Sequence, residues 1–85
     1  SDLKHMNQVI VYYEGNKIPS MEERVKETAR RYQAKVMGDF AYENQAHQIM
    51  MSFNNEGQIN NFKNDLIIIG NPYEVKLYLS GFGIV

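Results

Sequence analysis

The chain has 85 residues, enough for one domain and too few for two. Its formal net charge of −1 argues against a protein that binds polyanions through overall charge, although it leaves room for a local basic patch. It has no cysteine, which excludes disulfides, thiolate nucleophiles and sulfur-ligated metals. Because small secreted domains often depend on disulfides, this composition favours a cytoplasmic protein.

The first residues are typical of an expression-tag remnant. His5-Met6 is the junction expected where a coding region is joined at its start codon, so we treat residues 1–5 as non-native. Residues 6–85 are then predicted to form a single domain. The sequence has no recognisable signal peptide, and no apolar run approaches the ~20 residues needed to cross a bilayer, so we expect no membrane segment.

The first half of the domain is predicted to be a strand followed by a helix. Residues 8–13 are rich in β-branched and aromatic side chains and end at a turn-forming Glu-Gly-Asn. Ser20 and Glu23 have the spacing of a capping box, in which each side chain satisfies a free backbone N–H. We therefore predict a helix over residues 21–35. Its apolar stripe comprises Met21, Val25, Ala29, Tyr32 and Val36.

The second half begins with a predicted hairpin and continues into a second helix. Residues 40–42 and 47–53 are the two strands of the hairpin. Asn55 is expected to cap the second helix, with Gln58 at position N3. The buried face of this helix is predicted to comprise Ile59, Phe62 and Leu66.

The C-terminal third is less well defined by its pattern. Residues 66–69 either finish the second helix or form a short strand, because so short an apolar run has no period. Gly70-Asn71-Pro72 is a strong turn signal. Residues 75–79 alternate and are predicted to be the last strand of the sheet. Residues 81–85 are apolar with glycine breaks, and their pattern gives no assignment.

The order β-α-β-β-α-β predicts an α+β fold of ferredoxin-like type, an antiparallel sheet with both helices on one face. Alternation along the strands then assigns side chains to the two faces. Residues expected to face the helices are Val9, Val11, Ile49, Met51, Phe53, Val75, Leu77 and Leu79. Residues expected to face away are Ile10, Tyr12, Met50, Lys76 and Tyr78. Phe40 and Tyr42 share one face of their strand, and the pattern leaves open which.

No catalytic or metal-binding pattern is recognisable. His47 is the only histidine outside the tag, and a serine triad would need it together with Ser52 or Ser80, without a nucleophile-elbow motif. A single histidine among scattered acids does not make a zinc site. Asp39 and Glu43 are a possible acid–base pair, but solvated surface carboxylates are far commoner. We therefore expect a non-enzymatic protein without cofactor or metal.

The first predicted helix is rich in basic residues. Its charges sum to +2, while the rest of residues 6–85 sums to −3. Acids early and bases late in a helix also suit its dipole, which by itself accounts for such a distribution. The alternative is a surface that contacts phosphates or an acidic partner. The basic residues are Arg24, Lys26, Arg30, Arg31 and Lys35.

The predicted open face of the sheet carries aromatic rings. Tyr12 and Tyr78, with Met50 between them, would form a platform on which single-stranded bases stack. This arrangement resembles the RNA recognition motif, and residues 49–56 are similar to that family's third strand running into its second helix. Where the family has a glycine-aromatic consensus, this chain has Ala-His-Gln-Ile-Met at residues 46–50. The resemblance implies RNA binding through the sheet.

Two hypotheses follow for the function. The first is a small RNA-binding regulator in which the basic helix holds phosphates, with Tyr12, Tyr42 and Tyr78 stacking bases and Lys76 beside them. The second is a protein-binding inhibitor or regulator, of the kind encoded by phages and mobile elements, that acts on a larger partner such as a nuclease or toxin. In the second hypothesis the open sheet face is available for a homodimer.

Overall fold

The computed structural model describes residues 7–41 and 46–84, with side chains described for residues 7–38 and 46–81. In chain order, its elements are β1 (Asn7–Tyr13), α1 (Pro19–Arg31), β2 (Lys35–Ala41), β3 (His47–Phe53), α2 (Glu56–Gly70), a 3₁₀ turn (Asn71–Tyr73) and β4 (Tyr78–Ile84). The four strands form one antiparallel sheet in the order β2-β3-β1-β4. The predicted α+β class is therefore confirmed.

The core lies between one face of the sheet and the two helices. On β1, Val9, Val11 and Tyr13 point into it, and α1 and α2 contribute side chains to the same cluster. The alternating patterns of β1 and β3 correctly predicted which of their side chains face the helices. The two strands agree because residues directly opposite in an antiparallel pair share a face of the sheet. The buried cluster comprises Val9, Val11, Tyr13, Met21, Val25, Ala29, Ile49, Met51, Phe53, Phe62, Leu66 and Ile69.

Helix α1 begins earlier than the predicted capping box requires. It starts at Pro19, its N-cap is Ile18, and no side chain caps it. Ser20 therefore lies inside the first turn, and the Ser20–Glu23 capping box is wrong. Proline suits the first helical position, because its fixed φ matches the helix and its missing N–H would have no intrahelical partner there.

Helix α1 also ends earlier than predicted, in a Schellman motif. Gln33 adopts a left-handed φ of 66°. The N–H of Ala34 donates to the Ala29 carbonyl at 2.9 Å, and the N–H of Gln33 donates to the Arg30 carbonyl at 2.9 Å. The predicted extension of the helix to residue 35 is therefore wrong, because the backbone reverses at Gln33.

Strand β2 takes over the residues that the prediction placed at the helix end. Lys35 and Val36 belong to this strand, which begins five residues before the predicted residues 40–42. Val36 still packs against the core, but from the sheet. The pairing of β2 with β3 shifts register between Val36 and Gly38, which is a β-bulge.

Helix α2 confirms the predicted cap and resolves residues 66–69 as helix. The Gln58 N–H donates to the Asn55 side-chain oxygen at 2.9 Å. The helix continues to Gly70, so Leu66 and Ile69 are buried while Ile67 and Ile68 are exposed. These apolar residues therefore lie on a helix that packs only one side against the core.

Strand β4 lies later in the chain than predicted. Residues 75–77 are irregular, although Val75 and Leu77 still pack against the core, and the strand runs from Tyr78 to Ile84. Residues 81–84, which had no assignment, therefore complete the sheet by pairing with β1.

Candidate nucleic-acid interface

The outer face of the sheet, which points away from the helices, carries a mixture of aromatic, amide, hydroxyl and thioether side chains. These residues alternate with the core residues on β1 and β3, and register places their neighbours on β2 and β4 beside them. The described residues of this outer face are Gln8, Ile10, Tyr12, Lys35, Met37, Gln48, Met50, Ser52, Tyr78 and Ser80.

Tyr12 and Tyr78 form a stacked pair on the outer face. They are directly opposite each other in the β1–β4 ladder. Their ring centroids lie 5.1 Å apart with an interplanar angle of 15°. Tyr78 is 38% exposed, and the Lys76 Nζ lies 5.2 Å from the centroid of its ring. The predicted aromatic pair is therefore outside the core, where a cation also approaches it.

The charge on the outer face is positive. Lys35 is exposed and pairs with Ser52, so it belongs to this face and not to helix α1 as predicted. Lys76 lies at the opposite corner, beside the tyrosine pair. None of the outer-face strand residues whose side chains the structure describes is acidic. An anionic chain laid diagonally across this surface would meet a cation at each end and no described strand carboxylate between.

Several polar groups of the outer face have hydrogen-bonding capacity to spare. The Gln48 Oε1 and the Ser52 Oγ are buried without a hydrogen-bond partner in the described parts of the chain. Among the described residues, the Gln8 Nε2 donates to the Met37 sulfur at 3.9 Å, and a thioether is a weak acceptor. No sequence motif marks these polar groups. Their alternation with the core residues of β1 and β3 was the signal that could have found them.

The basic residues of α1 lie on the other side of the molecule. Arg24, Arg30 and Arg31 are exposed and Lys26 is half-buried. Arg24 and Arg31 line a groove of about 300 Å³ between α1 and α2. Since the sheet separates this groove from the outer face, the structure does not bring the two predicted sets of binding residues together.

Three predicted positions cannot be placed on either surface. Tyr42 and Glu43 lie outside the described residues. Asp39 belongs to β2, opposite Ile49, but its side chain is not among those described. The predicted stacking role of Tyr42 and the predicted Asp39–Glu43 pair therefore stay predictions.

A buried polar cluster joins the end of β1 to α1. The Glu22 side chain is 4% exposed. It accepts a short hydrogen bond from the Tyr13 hydroxyl and forms an ion pair with the Lys17 Nζ at 2.9 Å. The Tyr13 hydroxyl in turn accepts the Ile18 N–H at 3.0 Å. Burial, with the hydrogen bond to Glu22, raises the pKa of Tyr13 to about 12. Each group has a structural partner, so this cluster fixes the β1–α1 loop.

His47 also has a structural role in this region. Its ring lies 4.9 Å from that of Tyr13, centroid to centroid, and its Nε2 lies 2.9 Å from the Gly15 carbonyl oxygen. His47 is on the helix side of β3, whereas Ser52 and Ser80 are on the outer face. The geometry therefore does not bring this histidine to either serine. Over the described ranges, no group of three metal-ligating side chains could hold an ion, and no helix is long and apolar enough to span a membrane.

No protein-family model, curated protein or solved structure significantly matches this chain.

Proposed function

We propose that this chain is a small non-enzymatic regulator that binds single-stranded RNA on the outer face of its sheet. The observation that carries this proposal is the combination on one surface of a stacked tyrosine pair, a weakly bonded glutamine amide and two lysines, with no acidic side chain among the described strand residues there. Single-stranded nucleic acids are bound by such surfaces, because every base has a face to stack and every nucleotide has a phosphate.

The tyrosine pair is assigned to base stacking. Each ring already covers one face of the other, so bases would stack on the outer sides and edges of the pair. Tyr78 is the more exposed of the two tyrosines. A stacked base contributes about 1–3 kcal/mol by alanine substitution. The amide of Gln8 is assigned to base edges, which in single strands are free to accept and donate hydrogen bonds.

Lys35 and Lys76 are assigned to the phosphates at the two ends of the bound segment. Arg24, Lys26, Arg30 and Arg31 form a separate surface on the helical side. A short RNA on the sheet would not reach them, so their contribution is expected only with an RNA long enough to pass around the edge of the sheet.

The ferredoxin-like arrangement is part of this proposal. It is supported by the element order β-α-β-β-α-β and by the sheet order β2-β3-β1-β4. Since β1 and β2 are both antiparallel to β3, they are parallel to each other and α1 is the crossover between them. Both helices then cover one face, which leaves the other for a ligand.

The direct test is fluorescence anisotropy with a short labelled single-stranded RNA of mixed sequence at several salt concentrations. Tyr78→Ala is expected to weaken binding roughly 5- to 150-fold, since one stacked base is lost. Lys76→Ala should reduce the salt slope by about 0.7. Arg30→Ala is the matched control, because it removes one charge from the opposite side and should leave the short RNA bound. Absence of binding at low salt would refute the proposal.

A second experiment separates the two surfaces. The double change Arg30→Glu/Arg31→Glu should leave a short RNA bound and weaken a long one. If it abolishes binding of the short RNA while Tyr78→Ala does not, the helix is the binding surface and the sheet is not.

A protein partner is the second candidate, and one observation favours it. Ile67 and Ile68 are 69% and 64% exposed at the C-terminal end of α2. Ile68 borders the groove that Arg24 and Arg31 line, together with Glu27 and Asp65. Adjacent exposed isoleucines beside arginines suit a protein interface. In this proposal the chain would inhibit or regulate a larger protein, such as a nuclease or toxin, as phage-encoded regulators do.

The change Ile67→Asp/Ile68→Asp tests this second candidate. Neither side chain is in the core, so the fold should be retained, while a partner that co-purifies with the wild type should be lost. The same variant should still bind RNA if the sheet is the RNA surface. Retention of the partner by this variant would exclude the isoleucine pair as its docking site.

A further inference from the structure

The two edges of the sheet differ in their protection against pairing with another strand. Edge strands expose unpaired N–H and C=O groups, and natural proteins usually guard them with charges, proline or bulges. The edge strand β2 carries two charged residues, Lys35 and Asp39. The edge strand β4, with the sequence Tyr-Leu-Ser-Gly-Phe-Gly-Ile, carries neither a charged residue nor a proline. The β1–β4 and β2–β3 ladders each have one register shift, so the two edge strands differ in their charged residues and not in irregularity.

The regular half of β4 has three exposed residues, one of which is a glycine, whose exposed surface is backbone. Tyr78, Ser80 and Gly81 are exposed. The register shift of the β1–β4 ladder lies after Gly81, because Val9 pairs with Gly81 while its neighbour Gln8 pairs with Gly83. Glycine in a strand permits the close approach of another backbone, since it has no side chain to keep the partner away. No other described segment pairs with β4 on its outer side.

Within the described residues, the two helices do not fully cover the sheet next to this edge. An opening of about 360 Å³ lies beside β4 on the side of the helices, and its apolar lining includes Val9, Ile59 and Leu79. Leu77 and Leu79 are only partly buried, although they face the core. A strand added to β4 would satisfy the free backbone groups of β4. Helices packed against that added strand would cover these leucines.

We propose that β4 pairs antiparallel with β4 of a second copy of this chain, so that two sheets become one of eight strands. A second copy is the favoured occupant because antiparallel pairing of two identical strands is two-fold symmetric and satisfies both unguarded edges at once. An unrelated peptide would satisfy one edge only. The net charge of −1 per chain gives little repulsion between copies. The pairing stands independently of RNA binding.

The consequence is an extended outer surface. Because β4 and β1 carry the tyrosine pair, the pairing would place two Tyr12–Tyr78 pairs on one continuous sheet, on either side of the two-fold axis.

The test begins with the mass of the wild-type protein in the absence of RNA. Analytical ultracentrifugation from micromolar to millimolar protein is expected to show conversion of the 9.9 kDa monomer to a species of twice that mass. Hydrogen exchange of residues 78–84 should slow as the concentration rises. A monomer throughout the range would overturn the proposal.

Two proline variants then locate the interface. Successive residues of a strand direct their N–H groups to opposite sides, so of Ser80→Pro and Gly81→Pro one removes an N–H facing β1 and the other an N–H on the free edge. The variant that loses the N–H facing β1 should melt at a lower temperature than the wild type. The variant that loses the N–H on the free edge should keep the circular dichroism spectrum of the wild type and remain monomeric.

Two results would count against edge pairing. The first is a dimer that persists in the stably folded proline variant. The second is a dimer abolished by Tyr78→Asp but unaffected by that proline, because the copies would then meet through their outer faces. RNA is absent from every measurement, so failure of the proposed function would leave these outcomes unchanged.

Discussion

Replacing Tyr13 by phenylalanine should destabilise the fold, because it removes a buried hydroxyl that serves two partners. This hydroxyl donates to the carboxylate of Glu22 and accepts the N–H of Ile18 at 3.0 Å. The variant keeps the aromatic ring in the core but leaves Glu22 with only its ion pair to Lys17, whose side chain is 52% exposed.

The magnitude follows from the two lost interactions. A hydrogen bond to a charged group contributes about 1.5–3 kcal/mol, and a buried N–H left without a partner costs about 1–3 kcal/mol. Since the loop will relax and admit some water, we expect a combined loss of about 2–4 kcal/mol. For a domain of this size, that lowers Tm by roughly 10–25 °C.

The effect should depend on pH with a defined sign. The pKa of Tyr13 is raised from 10.0 to about 12, mainly by burial and then by its hydrogen bond to Glu22. A raised pKa means that the stabilising contribution is complete below pH 10 and is lost as the pH rises to about 12. The shift corresponds to about 2–3 kcal/mol, so the difference in stability between wild type and variant should shrink by that order across this window.

Urea denaturation followed by circular dichroism, at neutral pH and through the alkaline window, measures this difference. Tyr12→Phe is the matched control, because Tyr12 lies on the outer face and its hydroxyl bonds to none of the described residues; it should change stability by less than about 0.5 kcal/mol. A Tyr13→Phe protein as stable as the Tyr12→Phe control would refute the proposed role of the cluster. A difference that does not change with pH would refute the raised pKa of Tyr13.

Three further predictions concern the ends of the helices. Gly70→Ala should destabilise by at least about 1–3 kcal/mol in thermal melts, because its Cβ would lie 2.3 Å from the Val75 carbonyl oxygen; wild-type stability would contradict that contact. Asn55→Ala should cost about 1 kcal/mol in urea denaturation through loss of the cap of α2, and Asn55→Ser should restore most of it. Gln33→Gly should stabilise by up to about 1 kcal/mol, because glycine adopts the left-handed φ of 66° without strain; a destabilised variant would contradict the Schellman geometry.

Local signals predicted much of the fold correctly. The alternation of residues 8–13 and 47–53 assigned β1 and β3 and their buried faces, and Asn55 and Gln58 marked the start of α2. These predictions succeeded because each depends on a spacing that the residues carry themselves. The amphipathic stripe of α1 likewise identified Met21, Val25 and Ala29 as core residues.

The candidate site was only partly predictable. Alternation placed Tyr12 and Tyr78 on one face, and the register of β1 with β4 confirms that they meet. Lys35 was assigned to the wrong surface, because the end of α1 at Gln33 depends on a backbone reversal for which glutamine gives no signal. The amide of Gln8 carries no motif and becomes a candidate only when the outer face is assembled.

By itself, the sequence determined the α+β class, both helices, the central strands and the inward row of apolar side chains, since these follow from periodicity and capping within a few residues. Only the tertiary structure decided how α1 is anchored to the end of β1, because Glu22 is engaged by Tyr13 and Lys17 across a loop. It also decided that residues 66–69 are helical and that residues 81–84 complete β4. A short apolar run has no period of its own, and its conformation is set by the partner against which it packs.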